Sequence, residues 1–215
     1  MQTRNKIVCA LLCVLVVELG LVYIHLQAKS HVPVYSVAVA GDSLVFLSTG
    51  DLQVLMAPKY PNPDIAGVLG ITIAGMTPAI EQIHTKKPDA IVLALGTNDA
   101  RYLVTAQNVD QQVQVLQASF AQQEVVLRSL VDTPCVIWVG VQEHNTELNL
   151  VTWGSQLNKG FKANVEKYPN GHFLDWEAVM RGHTDWQSSD GLHFSDPVGN
   201  HAYAQAISDS VDELC

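Results

Sequence analysis

The feature that most constrains the fold is an alternation of short apolar runs with longer segments of helical spacing. Five runs have the length and the composition of buried strands, namely 34–40, 70–74, 90–95, 135–141 and 172–175. The longest segment between them repeats apolar residues at helical spacing, as at Val113, Leu116, Phe120 and Leu127. Strands that alternate with helices predict a parallel sheet covered by helices on both faces. In such a sheet, ligands bind beyond the carboxyl ends of the strands.

Four helical segments are predicted between and after these strands, over 77–86, 109–131, 156–168 and 198–214. The stretch 47–70 contains several prolines and glycines, and it predicts an irregular loop. We therefore expect an α/β domain of three layers, with a central parallel sheet of about five strands.

A basic and apolar N-terminal segment precedes the first predicted strand. Arg4 and Lys6 stand before an apolar run over 7–26, and a run of about 20 residues is sufficient to span a bilayer core of roughly 30 Å. Leu26 lies where signal-peptide cleavage needs a small residue, so an uncleaved anchor is favoured over a cleaved signal peptide. We expect an N-terminal apolar helix that attaches the protein to a membrane, with an extracytoplasmic domain. A secreted domain is the alternative.

The length of 215 residues fits one folded domain over 32–215 after a terminal segment and joint over 1–31. The net charge is −9, with 12 Lys and Arg in total. This balance argues against a nucleic-acid partner, because phosphate binding needs clustered cations. Two cysteines, Cys135 and Cys215, fall within the predicted domain. An exported domain can pair them in a disulfide, and the sequence leaves that pairing open.

The motif Gly41-Asp42-Ser43 directly follows the first predicted strand. A glycine permits a tight turn there. The serine then lies at the start of a helix or loop, where backbone N–H groups favour a developing negative charge. A serine hydroxyl needs an adjacent base before it can act as a nucleophile. Taken alone, the motif is more typical of a helix N-cap.

The motif Asp-Gly-Leu-His at 190–193 supplies the partners that such a serine needs. The glycine allows a turn that brings the carboxylate to one imidazole nitrogen and leaves the other free to accept the serine proton. The chain order Ser, Asp, His is one that hydrolases on parallel sheets use. Asp185 and Asp196 are alternative carboxylates, and the three-residue spacing favours Asp190 as the partner of His193.

Asn98, within Gly-Thr-Asn-Asp, follows the third predicted strand, and Gly75 follows the second. Acyl transfer passes through an oxyanion that needs hydrogen-bond donors already in place. The side-chain amide of Asn98 is such a donor, and Gly75, which has no Cβ, lets a backbone N–H approach the same point. Singly, each is an ordinary turn residue. Together with Ser43 and His193, in order along the chain, they indicate an acyl-transfer site.

These motifs resemble those of the SGNH (GDSL-type) hydrolases. The four hallmark residues of that family correspond to Ser43, Gly75, Asn98 and His193, and the resemblance extends over nearly all of 34–214. It implies a flavodoxin-like αβα sandwich, with Ser43 as nucleophile and His193 as general base and then general acid. It also implies that Asp190 orients His193, and that the Ser43 and Gly75 N–H groups and the Asn98 amide form an oxyanion hole.

The segment 175–204 is similar to the SGNH domains of bacterial cell-envelope O-acyltransferases and their stand-alone relatives. We therefore expect a serine esterase that cleaves small acyl esters or O-acyl esters of a cell-envelope glycan, through an acyl-enzyme on Ser43. An O-acyltransferase with the same triad and a non-catalytic glycan-binding module are the alternatives. His172, His183 and His201 match no metal-ligand spacing, so neither a metal nor another cofactor is expected.

Overall fold

The computed structural model describes residues 34–143 and 154–215. These residues form one five-stranded sheet in the order β2-β1-β3-β4-β5, and every neighbouring pair of strands is parallel. The strands are β1 (Val37–Gly41), β2 (Asp64–Gly67), β3 (Ala90–Ala94), β4 (Cys135–Val139) and β5 (Gly171–Leu174). This is the flavodoxin-like order, in which the connections reverse direction between β1 and β3 and leave a crevice at the carboxyl ends of those strands. The expected α/β class with a central parallel sheet is confirmed.

Eight α-helices occur in the described part of the chain: α1 (Ser43–Leu47), α2 (Thr49–Met56), α3 (Ile73–Thr85), α4 (Thr97–Thr105), α5 (Val109–Ser129), α6 (Gly154–Val165), α7 (Trp176–Met180) and α8 (Val198–Leu214). One 3-10 turn covers Thr184–Trp186. The helices cover both faces of the sheet, because alternate residues of each strand point to opposite sides and both sets are apolar.

Two hydrophobic cores lie on the two faces of the sheet. On one face, strand residues pack against α3, α5 and α6, with a centre at Ile91, Trp138, Ile80, Leu116 and Phe161. On the other face, strand residues pack against α2, α7 and α8, with a centre at Val92, Ile137, Leu52, Trp176 and Ile207. The central strands β1, β3 and β4 are buried along their whole length, which gives the site at their ends a rigid base.

The stretch between β1 and α3 differs from its prediction. The apolar run at 70–74 is not a strand, because the side chain of Thr72 caps α3 and the helix begins at Ile73. The second strand is instead Asp64–Gly67, a half-buried strand at the edge of the sheet. Helix α2 also lies within the predicted loop 47–70. A short edge strand needs few apolar residues, so its sequence pattern is weak.

Gly41 makes the turn from β1 into α1 possible. A Cβ at this position would lie 2.3 Å from Val45 Cγ2 and 2.7 Å from the carbonyl oxygen of Ala94. Any side chain would therefore push α1 away from the ends of β1 and β3. The absence of one places Ser43 directly above the carboxyl edge of the sheet.

Cys135 and Cys215 form a disulfide, with their Cα atoms 5.7 Å apart. The bond joins the first residue of β4 to the residue that follows α8, across 80 positions of sequence. It thus resolves the pairing that the sequence left open. Closing so long a loop restricts the unfolded chain and stabilises the packing of α8 on the sheet.

The N-terminal apolar helix expected over 7–26 lies outside the described residues. Across 34–143 and 154–215, no helix is long and apolar enough to cross a membrane. The same residues contain no group of three or more His, Cys, Asp or Glu side chains arranged to hold a metal ion.

Candidate active site

Ser43, His193 and Asp190 meet at the carboxyl edge of the sheet. The hydroxyl Oγ of Ser43 lies 3.1 Å from His193 Nε2, although the two residues are 150 positions apart in the chain. On the other side of the imidazole, His193 Nδ1 lies 2.7 Å from Asp190 Oδ2. The three side chains therefore form one continuous hydrogen-bonded series, with a hydroxyl at one end and a carboxylate at the other.

The carboxylate of Asp190 is held by the turn in which it lies. Its Oδ1 accepts the N–H groups of Leu192 and His193, each at 2.9 Å, and the hydroxyl of Ser188 at 2.6 Å. Burial raises the pKa of Asp190, but the hydrogen bonds from Ser188, His193 and Leu192 outweigh it and keep that pKa well below its usual range. An ionised Asp190 favours a proton on His193 Nδ1, which leaves Nε2 to accept the hydroxyl proton of Ser43.

Asp42 leaves the backbone N–H of Ser43 available. Its Oδ1 caps α1 by accepting the N–H of Leu44 at 3.0 Å. The N–H of Ser43, at the first position of the helix, has no hydrogen-bond partner among the described residues. A free N–H at a helix start favours negative charge next to the Ser43 hydroxyl.

Asn98 and Asp99 anchor the loop that follows β2. The amide Nδ2 of Asn98 donates to the carbonyl of Ile71 at 2.9 Å, and Asp99 Oδ2 accepts the N–H of Ile73 at 3.0 Å. Burial raises the pKa of Asp99 more than that N–H lowers it. Since an amide nitrogen carries two hydrogens, Asn98 retains one for a ligand.

Gly75 does not follow a strand directly, as its position after the predicted strand 70–74 suggested. It is the third residue of α3, and its N–H donates to the capping hydroxyl of Thr72 at 3.2 Å. That N–H is therefore bound within the protein and is not free to donate to a substrate oxyanion. The signal for this cap is Thr72 itself, because threonine is among the residues preferred at helix N-caps.

Gly70 is the glycine of this loop whose N–H is free. Its φ of +69° suits a residue without a side chain, and its N–H has no partner in the described part of the chain. It lines a cavity of about 200 Å³ together with Asn98 and Thr72. The pairing of Gly41 with Gly67 at the ends of β1 and β2 places this loop beside the start of α1.

The family model of the GDSL-like lipase/acylhydrolase family matches residues 38–197. The chain belongs to this family. The match begins in β1 and ends just before α8, so it includes the motifs that carry Ser43, Asn98, Asp190 and His193.

Among curated proteins, this acylhydrolase is similar to the O-acetyltransferase OatA of Staphylococcus aureus. The two are 24% identical over 188 residues, which is 86% of this chain and 26% of the relative. The same values hold for the protein from several strains of that organism. The chain thus spans about a quarter of the length of the curated relatives that it matches.

Solved structures of an acetylxylan esterase from Geobacillus stearothermophilus share the fold. A catalytic mutant of that esterase superposes with a TM-score of 0.65 at 17% identity, over 82% of this chain and 94% of the esterase. The unmutated esterase gives a TM-score of 0.62 at 16% identity over the same shares. At this level of identity, the similarity establishes the αβα sandwich.

Asp42 of this acylhydrolase is a buried carboxyl group next to the Ser43 hydroxyl. It is 1% exposed. Burial, with a smaller contribution from the charge of Asp99, raises its pKa to about 6, although the hydrogen bonds from Leu44 and Thr97 and the charge of His193 lower it. The folded state therefore binds a proton at Asp42 more tightly than the unfolded chain does.

The free energy of unfolding is expected to carry a pH-dependent contribution from Asp42. Since its pKa is raised from 3.8 to about 6, the stability contribution falls as the pH rises from about 4 to about 6, by at most about 3 kcal/mol. Asp42→Asn keeps an oxygen that can cap α1 but does not titrate. In urea unfolding at pH 4 and pH 7.5, the variant should gain stability relative to the wild type at the higher pH. An equal difference at both pH values would contradict this assignment.

Proposed function

We propose that this chain is a serine esterase that cleaves O-acyl esters through an acyl-enzyme on Ser43. The observation that carries the proposal is the contact series from Asp190 through His193 to Ser43, with distances of 2.7 and 3.1 Å. A nucleophile, a base and a group that orients the base are thereby within hydrogen-bond reach of one another. Membership of the acylhydrolase family supports the same reaction class.

In the first half-reaction, Ser43 Oγ attacks the ester carbonyl carbon while His193 Nε2 accepts the hydroxyl proton. The tetrahedral intermediate then breaks its bond to the alcohol oxygen, which leaves as an alcohol with the proton from His193. The acyl group remains as an ester on Ser43. In the second half-reaction, His193 Nε2 takes a proton from water while the water oxygen attacks the acyl carbon. The protonated His193 then gives that proton to Ser43 Oγ as the bond to the acyl group breaks and the acid is released.

The oxyanion hole is proposed to consist of the Ser43 N–H, the Asn98 amide and the Gly70 N–H. Gly70 replaces Gly75, because the N–H of Gly75 is bound to Thr72. The first donor lies at a helix start, and the other two line one cavity. Donors held in place before the reaction stabilise the developing charge without reorganisation.

Asn98→Ala is expected to lower kcat for p-nitrophenyl acetate by about 10²–10³-fold, the loss typical of one oxyanion donor. The variant also loses the bond from Asn98 to the carbonyl of Ile71, so a matched control must lose a similar bond elsewhere. Asn108→Ala removes the cap that accepts the Gln111 N–H at 2.9 Å at the start of α5. Steady-state kinetics should show a near-normal kcat for that control. Equal kcat values for the two variants would show that Asn98 does not contribute to the oxyanion hole.

An O-acyltransferase is the second candidate, favoured by the similarity to the O-acetyltransferase of Staphylococcus aureus. The chemistry differs only in the acceptor, since a sugar hydroxyl would replace water in the second half-reaction. The partition of the acetyl group from p-nitrophenyl acetate between water and a chitooligosaccharide acceptor decides between them. Acetate alone identifies an esterase, and acetylated oligosaccharide identifies a transferase.

The acyl-enzyme itself provides the direct test of the proposed function. Intact-mass spectrometry after rapid quenching with acid should show one acetyl group on the protein, and peptide mapping should place it on Ser43. A fluorophosphonate probe should label the same residue. A protein that binds glycan but shows neither modification would instead be a non-catalytic module of this fold.

We further infer that the domain over 32–215 lies outside the cytoplasm, with 1–31 as its membrane anchor or signal segment. The Cys135–Cys215 disulfide supports this location, because such bonds persist in oxidising compartments. The proposed substrates are small acyl esters or glycan esters. No nucleic acid, metal or other cofactor takes part in the proposed reaction.

A further inference from the structure

A second cavity lies over the carboxyl ends of β4 and β5, at the other end of the strand order from β2 and the Gly70 loop. It has a volume of about 410 Å³ and is lined by Gln142, Glu177, Arg181, His183 and Gln187, among others. This volume lies within the range of small-molecule sites, roughly 300–1,000 Å³. Gln187 connects the cavity to the site, because its Nε2 donates to the carbonyl of Gly191 at 2.8 Å, within the turn that carries Asp190 and His193.

His183, which lines the cavity, is the outermost ring of an aromatic stack. The ring of His183 lies parallel to that of Trp186, at a centroid distance of 3.8 Å and an angle of 9°. Trp186 lies in turn on the buried Trp176, at 6.1 Å and 16°. The stack fixes the orientation of His183, which is exposed on the face away from Trp186. A flat, exposed π-face attracts the C–H groups of a sugar ring.

Gln142 gives the lining of the cavity a polar group. It is only 5% exposed, yet its carbonyl oxygen Oε1 has no hydrogen-bond partner among the described residues. A buried polar atom without a partner destabilises a fold, and a leucine of similar size would avoid that cost. An amide in this position is accounted for if a ligand hydroxyl donates to it.

The position of the leaving oxygen relative to His193 indicates that this cavity receives the alcohol part of the ester. His193 Nε2 gives its proton to the leaving alcohol oxygen, so that oxygen lies on the His193 side of the reacting carbon. The carbonyl oxygen lies on the other side, towards Asn98. Since Gln187 places the cavity next to the His193 turn, an alcohol that leaves from Ser43 extends towards β4 and β5.

We propose that this cavity is a subsite for a pyranose ring of the substrate alcohol, with His183 stacking on the ring and Gln142 accepting a ring hydroxyl. The inference rests on the proposed esterase or acyltransferase function and adds the residues that select the alcohol. Gln142 and His183 thereby act on specificity and leave the chemical step to Ser43 and His193.

Two variants test the subsite without enlarging the cavity. Gln142→Leu removes the polar atoms at similar volume, and no hydrogen bond of the side chain is lost within the described residues. His183→Val covers Trp186 without offering a flat ring. Tyr35→Ala is the control, because Tyr35 is an exposed aromatic side chain, 72% accessible. It precedes β1 and therefore lies at the amino-terminal ends of the strands, away from the cavity.

The assay compares kcat/KM for an O-acetylated xylose tetramer and an O-acetylated N-acetylglucosamine tetramer with that for vinyl acetate, whose alcohol is too small to reach the cavity. In both variants, kcat/KM should fall about tenfold for at least one tetramer, mainly through a higher KM, and less than twofold for vinyl acetate. The tetramer whose kcat/KM falls more identifies the sugar that the cavity binds. Gln142→Leu should also have a higher Tm than the wild type, which a merely structural role for Gln142 would not produce. Equal losses on all three esters, or none, would overturn the proposal.

A binding measurement separates this inference from the proposed function. In the Ser43→Ala protein, titration calorimetry with the unacetylated tetramers should show binding that Gln142→Leu and His183→Val weaken and Tyr35→Ala does not. If vinyl acetate is hydrolysed but the tetramers bind equally to all variants, the subsite is wrong and the esterase function stands. If no ester is turned over yet binding weakens in the two variants, the subsite stands and the esterase function is wrong.

Discussion

Ser43→Ala is expected to lower kcat/KM for p-nitrophenyl acetate by about 10⁴–10⁶-fold, because no other group in the site can form the acyl-enzyme. Among the described residues, the side chain of Ser43 has one hydrogen bond, to His193 Nε2. The cap of α1 is made by Asp42 and is retained, so the Tm should stay within a few degrees of the wild type. Stopped-flow kinetics and thermal unfolding on the same preparation measure both effects.

Ser48→Ala is the matched control for that experiment. Ser48 is completely buried between α1 and α2, and its hydroxyl has no hydrogen-bond partner among the described residues. Its loss should leave the rate unchanged and test whether any serine-to-alanine change near α1 disturbs the site. Substantial turnover by Ser43→Ala would show that Ser43 is not the nucleophile, whatever the result for the control.

Asp190→Asn is expected to lower kcat by about 10⁴-fold with little change in shape. The asparagine oxygen can still accept the N–H groups of Leu192 and His193 that hold the turn. Its amide nitrogen, however, faces His193 Nδ1 in place of an oxygen, which favours the imidazole tautomer with its proton on Nε2. That nitrogen then cannot accept the proton of Ser43.

Asp185→Asn and Asp196→Asn are the controls for the carboxylate, since both are close to Asp190 in sequence. Neither side chain has a hydrogen bond to His193, and the backbone carbonyl of Asp185 accepts the hydroxyl of Ser195. Both variants should retain kcat within about twofold. A large loss in either one, with activity retained in Asp190→Asn, would transfer the orienting role to the other carboxylate. Ligand-free NMR of the imidazole protons in each variant would report the tautomer directly.

The central strands could be predicted from sequence because burial on both faces produces continuous apolar runs. β3 and β4 lie within the predicted segments, and β1 and β5 each extend one residue beyond theirs. The polar residues that follow β1 and β3 indicated the site. The same rule failed at the edge strand β2, where partial burial requires few apolar side chains. It also failed at 70–74, where a single capping hydroxyl converts an apolar run into the start of α3.

Sequence alone determined which residue types meet at the site, because topology brings a serine and an asparagine at the ends of parallel strands to one edge, and an aspartate and a histidine in the last loop can reach that edge. Tertiary structure decided what each of them is free to do. Whether the N–H of Gly75 or of Gly70 remains available depends on where α3 begins and on the position of Thr72. The disulfide and the cavity beside His183 likewise depend on contacts between residues far apart in the chain. Ser43 is thus specified locally, whereas the surroundings that select its ester are formed only by the fold.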